Sequence, residues 1–348
     1  MILNLRLARP EQTVDEGWRR LLVQSRGDCR LGISFRPRQV DAFGLDGIST
    51  LQELVAYRFE VIRLAAYWDR IEAQEDAFDT TELDWQLAVA ERAGKQVILA
   101  VGAVKNFGYP EMYVPLHQLE TPLREGSLVT PQSHPELMAA ANRFISRVVA
   151  RYKSRSSIVA WQLEHEAVDP LGVEHSWRLS EAFVKSELEA LRHVDPDRPV
   201  VMNGFLPMSP VVALNQRWRT RDQGDSLAVA ARLADIVGVD YYPRHALLKI
   251  GERTLYVDGS GRAIPKVAGR RVMFTEGQAE PWETTTTPPN PAQRTLFSCG
   301  PEQLIRNFNA AMTAQPEAYL FWGAEYWVLR KQSGDPSYLQ AFERILAA

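Results

Sequence analysis

The chain has 348 residues, 45% of them hydrophobic and 24% charged, and a formal net charge of -3. This composition excludes a disordered chain and is typical of a globular protein with a sizeable core. The lack of a basic footprint argues against a nucleic-acid partner. No apolar run reaches the ~20 residues of a membrane span or forms the apolar segment of a signal peptide, so we expect no membrane partner and a cytoplasmic protein. The sequence does not predict the oligomeric state.

Short apolar or β-branched runs recur along the chain, and each is followed by a segment of helical periodicity. The predicted strands cover 30–35, 60–64, 96–101, 158–163, 199–203, 235–240, 271–275 and 318–322. This alternation is typical of a parallel sheet wrapped by helices, and for a chain of this length it predicts a (β/α)₈ barrel over residues 30–348. Residues 1–29 are predicted to form an extension, with a helix around 14–24, that packs on the barrel.

Local signals add detail between the strands. Ser133 and Glu136 match a capping box at the start of a helix. The run Asp258-Gly-Ser-Gly261 predicts the turn of a small hairpin over 254–264. The longest irregular stretches, 102–132 and 277–300, follow the third and seventh predicted strands. In an α/β barrel such stretches lie on the face that carries the active site.

Two glutamates come at the ends of predicted strands. Glu166 ends the run Trp161-Gln-Leu-Glu-His-Glu166, and Glu276 ends the run Val272-Met-Phe-Thr-Glu276. A carboxylate at the end of a buried strand is costly unless it is paired, so each has either a structural partner or a chemical role. Because the carboxyl ends of barrel strands face the active site, we interpret both as catalytic.

Cleavage of a glycosidic bond with retention requires one carboxylic acid and one carboxylate, separated by about 5–5.5 Å. The acid protonates the leaving oxygen, and the carboxylate attacks the anomeric carbon. The nucleophile needs positive or hydrogen-bonding neighbours that keep it ionised. Arg63, at the end of the second predicted strand, is a candidate neighbour of Glu276.

Several motifs occur in a shared order along the chain. They are Val61–Glu72, Trp161–Glu166, Asp240-Tyr-Tyr-Pro243, Thr275–Trp282 and Phe321-Trp-Gly323. In these runs the chain resembles the clan A glycoside hydrolases, which are retaining (β/α)₈ enzymes, and in particular families 5, 35 and 42. The resemblance implies that Glu166 is the acid/base, Glu276 the nucleophile, Tyr242 a contact of the nucleophile and Trp322 the floor of the sugar subsite.

One position departs from the clan pattern. His165 stands where most clan members have an asparagine that hydrogen-bonds the sugar 2-hydroxyl. A histidine can donate a similar bond, as the His-Glu pair of family 26 indicates. Indole rings pack on the apolar C–H faces of sugars, and polar side chains bind their hydroxyls. The candidate substrate-binding residues are Arg63, Trp68, His165, Asn203, Tyr242, Trp282, Trp322 and Glu325.

A metal site is the main rival interpretation of Glu164-His165-Glu166. Side chains alternate between faces along a strand, so His165 is not expected to share a coordination sphere with the two glutamates. The sequence has no HExxH motif, phosphate loop or dinucleotide fingerprint. We therefore expect neither a metal nor a cofactor.

The sequence thus favours a retaining hydrolase of β-glycosidic bonds with a carbohydrate substrate. Exo action on small glycosides or oligosaccharides, as in β-galactosidases or family 5, is the leading expectation. Three alternatives stay open: an endo-acting β-glycanase, a transglycosidase, and a sugar-binding barrel without catalysis. The sugar and its linkage are not predicted.

Overall fold

The computed structural model describes residues 4–10, 16–108, 112–119, 123–124, 126–169, 177–220, 222–264, 269–283 and 296–348. Its strands are β1 (Leu5–Ala8), β2 (Arg30–Ser34), β3 (Val61–Ala65), β4 (Gln96–Ala100), β5 (Leu128–Val129), β6 (Ile158–Gln162), β7 (Arg178–Leu179), β8 (Val200–Phe205), β9 (Ile236–Tyr241), β10 (Arg244–Ile250), β11 (Arg253–Asp258), β12 (Arg271–Gln278) and β13 (Ala318–Trp322). No helix in these described ranges is long and apolar enough to cross a membrane.

The helices alternate with the strands over most of the chain. They are α1 (Pro37–Ala42), α2 (Gly47–Val55), α3 (Trp68–Ile71), α4 (Thr81–Arg92), α5 (Pro135–Tyr152), α6 (Glu181–Val194), α7 (Pro210–Arg219), α8 (Ser226–Leu233), α9 (Pro301–Met312), α10 (Ala324–Gln332) and α11 (Ser337–Leu346).

Eight strands form a closed barrel in the order β12-β13-β2-β3-β4-β6-β8-β9. Neighbouring strands pair in parallel; for example, Val61 of β3 lies opposite Gln96 of β4. The strands are rich in valine, isoleucine and leucine and are buried on both faces, as is typical of parallel sheets covered by helices. The predicted (β/α)₈ barrel is confirmed, and each of the eight predicted strands is present to within a few residues of its predicted ends.

The chain divides into two compact units. Unit one contains 1–60, 205–215 and 239–348, and unit two contains 61–204 and 216–238. The core of unit one includes Phe321, which packs edge-on against Phe342 with ring centroids 5.1 Å apart. In unit two, Trp68 stacks on Phe144 of α5 at 5.4 Å.

The N-terminal region of unit one differs from its prediction. Residues 16–20 form a short 3-10 turn in place of the predicted helix around 14–24, of which 14 and 15 lie outside the described residues. The strand β1, which was not predicted, pairs antiparallel with β11. This pairing joins residues more than two hundred positions apart, so local sequence patterns carry no sign of it.

Two local predictions were wrong in detail. The hairpin is formed by β10 and β11, so its turn lies at 251–252 and not at Asp258-Gly-Ser-Gly261. In the predicted capping box, α5 begins at Pro135, where proline is favoured because no N–H is needed. Ser133 instead forms hydrogen bonds with Thr130.

Candidate active site

Glu166 lies beyond the end of its strand, because β6 ends at Gln162. Its side chain is buried, and its backbone has a φ of 42°. That left-handed conformation costs about 1–3 kcal/mol in a residue other than glycine and persists only where surrounding contacts hold it. Such strain is typical of functional sites. The backbone carbonyl of Glu166 accepts a 2.6 Å hydrogen bond from the Lys105 ammonium group.

Glu164 and His165, just before Glu166, have separate partners. The carboxylate of Glu164 accepts the backbone N–H groups of Val104 and Lys105 at 2.9 and 2.5 Å. The Nδ1 atom of His165 lies 2.8 Å from Nδ2 of Asn203. Because the amide nitrogen is only a donor, Nδ1 must accept, which leaves the ring proton on Nε2 as a donor.

Three of the predicted binding residues form one polar chain in unit two. Arg63 Nε donates to the Gln162 side chain at 2.7 Å, and Gln162 Nε2 donates to Asn203 Oδ1 at 3.2 Å. The Arg63 guanidinium also lies 3.9 Å from the ring centroid of Phe107. This chain fixes the amide of Asn203, which in turn fixes the ring of His165.

Glu276 lies inside β12 and is likewise buried. Tyr242 Oη donates a hydrogen bond of 2.8 Å to Glu276 Oε2, as the motif comparison predicted. Burial and the adjacent Glu276 carboxylate raise the pKa of Tyr242, so its hydroxyl stays protonated and remains a donor. The preceding residue, Thr275, donates to Asp240 at 2.7 Å and thereby anchors this part of the strand to the end of β9.

Aromatic rings surround Tyr242. Trp282, which is half-buried, meets Tyr242 edge-on with ring centroids 4.9 Å apart and lies 5.0 Å from the ring of His245. The Nδ1 of His245 is 3.2 Å from the Tyr242 carbonyl, to which it must donate. Burial lowers the pKa of His245 to about 4, so the ring is neutral near pH 7. The partly exposed indole of Trp282 therefore lies beside Tyr242, whose hydroxyl contacts Glu276.

Trp322 ends β13 and is packed against a buried ion cluster. Arg36 lies 4.3 Å above the indole centroid. Its guanidinium donates to Glu280 at 2.6 and 2.8 Å and to Glu325 at 3.1 and 2.8 Å. Burial alone would lower the pKa of Arg36, but the two carboxylates outweigh it and raise that pKa. Glu325 is fully buried and holds Arg36 in place, so we do not assign it a direct contact with a sugar.

Trp68 also lies away from any exposed surface. Its indole is fully buried, stacks on Phe144 and donates to Glu72 at 2.7 Å. One face and the polar edge of the ring are thus used in packing unit two, and the side chain has no exposed surface. We therefore assign Trp68 to the core, although its place near a strand end had made it a candidate for sugar binding.

Two residues were missed by the sequence analysis. Lys105 is fully buried and follows β4, and Arg36 is buried just after β2. Each is a charged side chain within a few residues of the carboxyl end of a barrel strand, and this is the criterion that singled out the two glutamates. Applied to basic residues as well, it would have found both.

A family model described as Beta-galactosidase, of glycoside hydrolase family 42, matches residues 48–183, less than half of the chain. No curated protein matches the sequence.

Solved structures match over most of the chain at low identity. A GH5_18 protein from Streptomyces cattleya in complex with Manβ1-4GlcNAc has a TM-score of 0.54 and 14% identity, over 84% of this chain and 70% of that one. The exo-β-1,4-mannosidase Op5Man5 from Opitutaceae bacterium strain TAV5 has a TM-score of 0.53 and 14% identity, over 87% and 55%. The β-galactosidase from Bacillus circulans sp. alkalophilus has a TM-score of 0.50 and 15% identity, over 84% and 50%.

The chain thus spans about half the length of the latter two proteins. At these identities the structural matches establish the barrel fold. Taken with the family match, they confirm the resemblance of this chain to the clan A glycoside hydrolases.

Proposed function

We propose that this protein is a retaining glycoside hydrolase that cleaves a β-glycosidic bond by double displacement. The observation that carries the proposal is a pair of buried glutamates at the carboxyl ends of two strands of one parallel barrel, Glu166 after β6 and Glu276 in β12. Glu276 accepts a hydrogen bond from Tyr242, which orients the carboxylate that would attack the sugar. The left-handed backbone of the buried Glu166 supports this role, because such strain clusters at functional sites.

In the first step Glu276 attacks the anomeric carbon while Glu166 gives its proton to the departing oxygen. The product is an ester between Glu276 and the sugar, and the leaving group departs as a neutral alcohol. In the second step Glu166 takes a proton from water, which attacks the same carbon and releases Glu276. The proposal requires the two carboxyl groups to lie about 5–5.5 Å apart.

Other residues take roles that follow from their contacts. His165 donates from Nε2 to a sugar hydroxyl, because Asn203 occupies its Nδ1. Trp322 and Trp282 provide apolar faces for the C–H groups of the ring. Arg63 acts through Gln162 and Asn203 by fixing the orientation of His165.

We also propose exo action on small glycosides or oligosaccharides. The segments after β4 and β12 are the longest connections of the barrel, and loops on this face can close one end of a cleft. A β-galactosidase and an exo-β-1,4-mannosidase are among the structural matches, so β-galactosides and β-mannosides are the first sugars to test.

The proposal is tested by screening the purified protein against aryl β-glycosides of galactose, mannose, glucose, xylose, fucose and galactofuranose and against aryl α-L-arabinosides. The Glu276→Ala variant serves as the control for contaminating activity. Turnover by the parent and none by the variant is the expected result. Oligosaccharide binding without cleavage across this panel and a set of polymers would instead identify a silent binding barrel. Product analysis with an added acceptor sugar separates a hydrolase from a transglycosidase.

A further inference from the structure

Lys105 is a fully buried lysine in the segment that follows β4. A buried ammonium group is costly unless it is paired or fully hydrogen-bonded, so a lysine in this position needs compensating contacts. The proposed mechanism does not use Lys105, and no step of the chemistry requires a cation there.

The contacts of Lys105 converge on the segment around Glu166. Its N–H donates to Glu164 Oε2 at 2.5 Å, and its carbonyl accepts the N–H of His165 at 2.9 Å. Its Nζ donates to the carbonyl of Glu166 at 2.6 Å and to the carbonyl of Asp169 at 3.1 Å. One side chain and its own peptide group thus contact four positions of the segment that carries the proposed acid/base.

The partners of Lys105 are themselves fixed. Glu164 also accepts the N–H of Val104 at 2.9 Å, and Glu187 lies beside it. Burial and the Glu164 carboxylate raise the pKa of Glu187 well above its usual range, so this pair of acids retains a proton. The Asp169 carboxylate accepts from Gln216 at 3.0 Å. Lys105 therefore contacts residues that have further hydrogen bonds of their own.

Glu166 has a left-handed backbone that surrounding contacts must hold, and Lys105 bonds to the carbonyl of that same residue. We propose that Lys105 is a positioning residue that holds the backbone of Glu166 so that its carboxyl group reaches the leaving oxygen. This inference rests on the proposed function. Lys105 contacts neither the substrate nor the reacting atoms in this account.

A positioning role for the acid predicts a dependence on the leaving group. A general acid works only within hydrogen-bond reach of the oxygen that it protonates. A phenolate leaving group of low basicity departs without a proton, whereas a more basic one needs the acid. Misplacement of Glu166 must therefore slow the cleavage of phenyl glycosides and spare that of 2,4-dinitrophenyl glycosides.

The test compares the parent with Lys105→Met on both substrates of the sugar found in the screen. The quantity is kcat/KM, because it reports the first chemical step. We expect a loss of about 100-fold on the phenyl glycoside, the scale of a small misplacement of a reacting group, and little change on the dinitrophenyl glycoside. Lys95→Met is the matched control, since Lys95 is also buried but precedes β4, at the opposite end of the strand.

Equal losses on both substrates, or no loss on either, would overturn the inference while leaving the proposed function intact. A parent without turnover would overturn both. If Lys105→Met does not fold by circular dichroism, Lys105→Arg keeps the buried positive charge but changes the geometry of its donors. It must show the same leaving-group dependence with a smaller loss, and a uniform loss in that variant contradicts the proposal.

Discussion

Glu276 lies inside a strand, where the pairing of β12 with β13 shifts in register, whereas Glu166 lies beyond the end of a strand in a left-handed conformation. Glu276 is held through its side chain, which accepts the hydroxyl proton of Tyr242. Glu166 is held through its backbone, by way of Lys105. Glu276 is thus contacted at its carboxylate, which is the proposed reacting group, whereas Glu166 is contacted at the peptide group that carries its carboxyl.

The largest expected effect distinguishes the two glutamates directly. Glu276→Ala should lower kcat by at least about 10⁴-fold on every substrate, the scale seen when a residue of a catalytic triad is removed.

Glu166→Ala should lower kcat/KM by about 10²- to 10⁴-fold on phenyl glycosides only, the usual contribution of a general acid. On the dinitrophenyl glycoside kcat/KM should stay near that of the parent, but kcat should fall because Glu166 no longer activates water in the second step, and added azide should restore this kcat by forming a β-glycosyl azide. A Glu166→Ala variant whose kcat/KM falls equally on both substrates would break the comparison.

Arg36 in unit one is also held by side-chain contacts, through its hydrogen bonds to Glu280 and Glu325. Arg36→Met removes the guanidinium from the half-buried carboxylate of Glu280 and from the buried carboxylate of Glu325, which keeps the backbone N–H of residue 36, so the free energy of unfolding should fall by about 3–5 kcal/mol. The control is Arg271→Met, because Arg271 pairs with Glu317 through the same two-bond geometry but on the surface. That variant should lose less than about 1 kcal/mol. Urea unfolding measures both, and similar losses would show that burial of the Arg36 cluster adds nothing.

Removal of the Tyr242 hydroxyl should have a smaller effect on activity, through the loss of its hydrogen bond to Glu276. Tyr242→Phe removes one hydrogen bond to a carboxylate, worth about 1.5–3 kcal/mol, so kcat/KM should fall by about 10- to 100-fold. In contrast to Lys105→Met, the loss should be equal for phenyl and dinitrophenyl glycosides. Tyr241→Phe is the control, since the buried Tyr241 hydroxyl has no hydrogen-bond partner among the described residues. Its activity should match that of the parent.

The smallest expected effect concerns pH and His245. Burial lowers the pKa of this ring from 6.5 to about 4, so the unfolded chain binds a proton that the folded protein does not. The stability from His245 is therefore complete above pH 6.5 and is lost as the pH falls toward 4. Asp169 acts in the opposite direction, because burial raises its pKa to about 6. In the parent protein the two effects partly cancel, so its pH dependence of stability does not isolate the contribution of His245.

Comparison of His245→Asn with the parent should isolate the contribution of His245 to the pH dependence of stability. The drop in the free energy of unfolding between about pH 7 and pH 4.5 should be smaller in this variant than in the parent by about 2 kcal/mol. His193→Asn, at an exposed position on α6, should keep the pH dependence of the parent. An unchanged dependence in His245→Asn would mean that the ring is not held neutral by burial.

The barrel was predictable because its strands are continuous apolar runs that end at turn signals. The placement of the two glutamates near the carboxyl ends of strands was predictable, because each follows or ends such a run in the sequence, whereas their catalytic roles stay predictions. The backbone conformation of Glu166 was not predictable, because a contact to its carbonyl comes from Lys105, 61 positions away in the sequence. Contacts of this length leave no local pattern in a sequence.

The errors have related causes. Trp68 follows a barrel strand, but whether an aromatic ring at that position faces a cleft or the core depends on α5, whose Phe144 covers it. The hairpin turn was misplaced because a register shift between Ala246 and Leu248 breaks the alternation that marks a strand. The site of Arg36 needed three separate segments to come together around one guanidinium.

The most direct test of the account is to trap the covalent intermediate. A 2-deoxy-2-fluoro glycoside of the cleaved sugar with a dinitrophenolate leaving group should form the ester and release it slowly. Mass spectrometry of the digested protein should place one sugar on the peptide that contains Glu276, and the Glu276→Ala variant should carry none. A sugar on another carboxylate, or steady turnover of normal substrate with inversion at the anomeric carbon, would contradict the account.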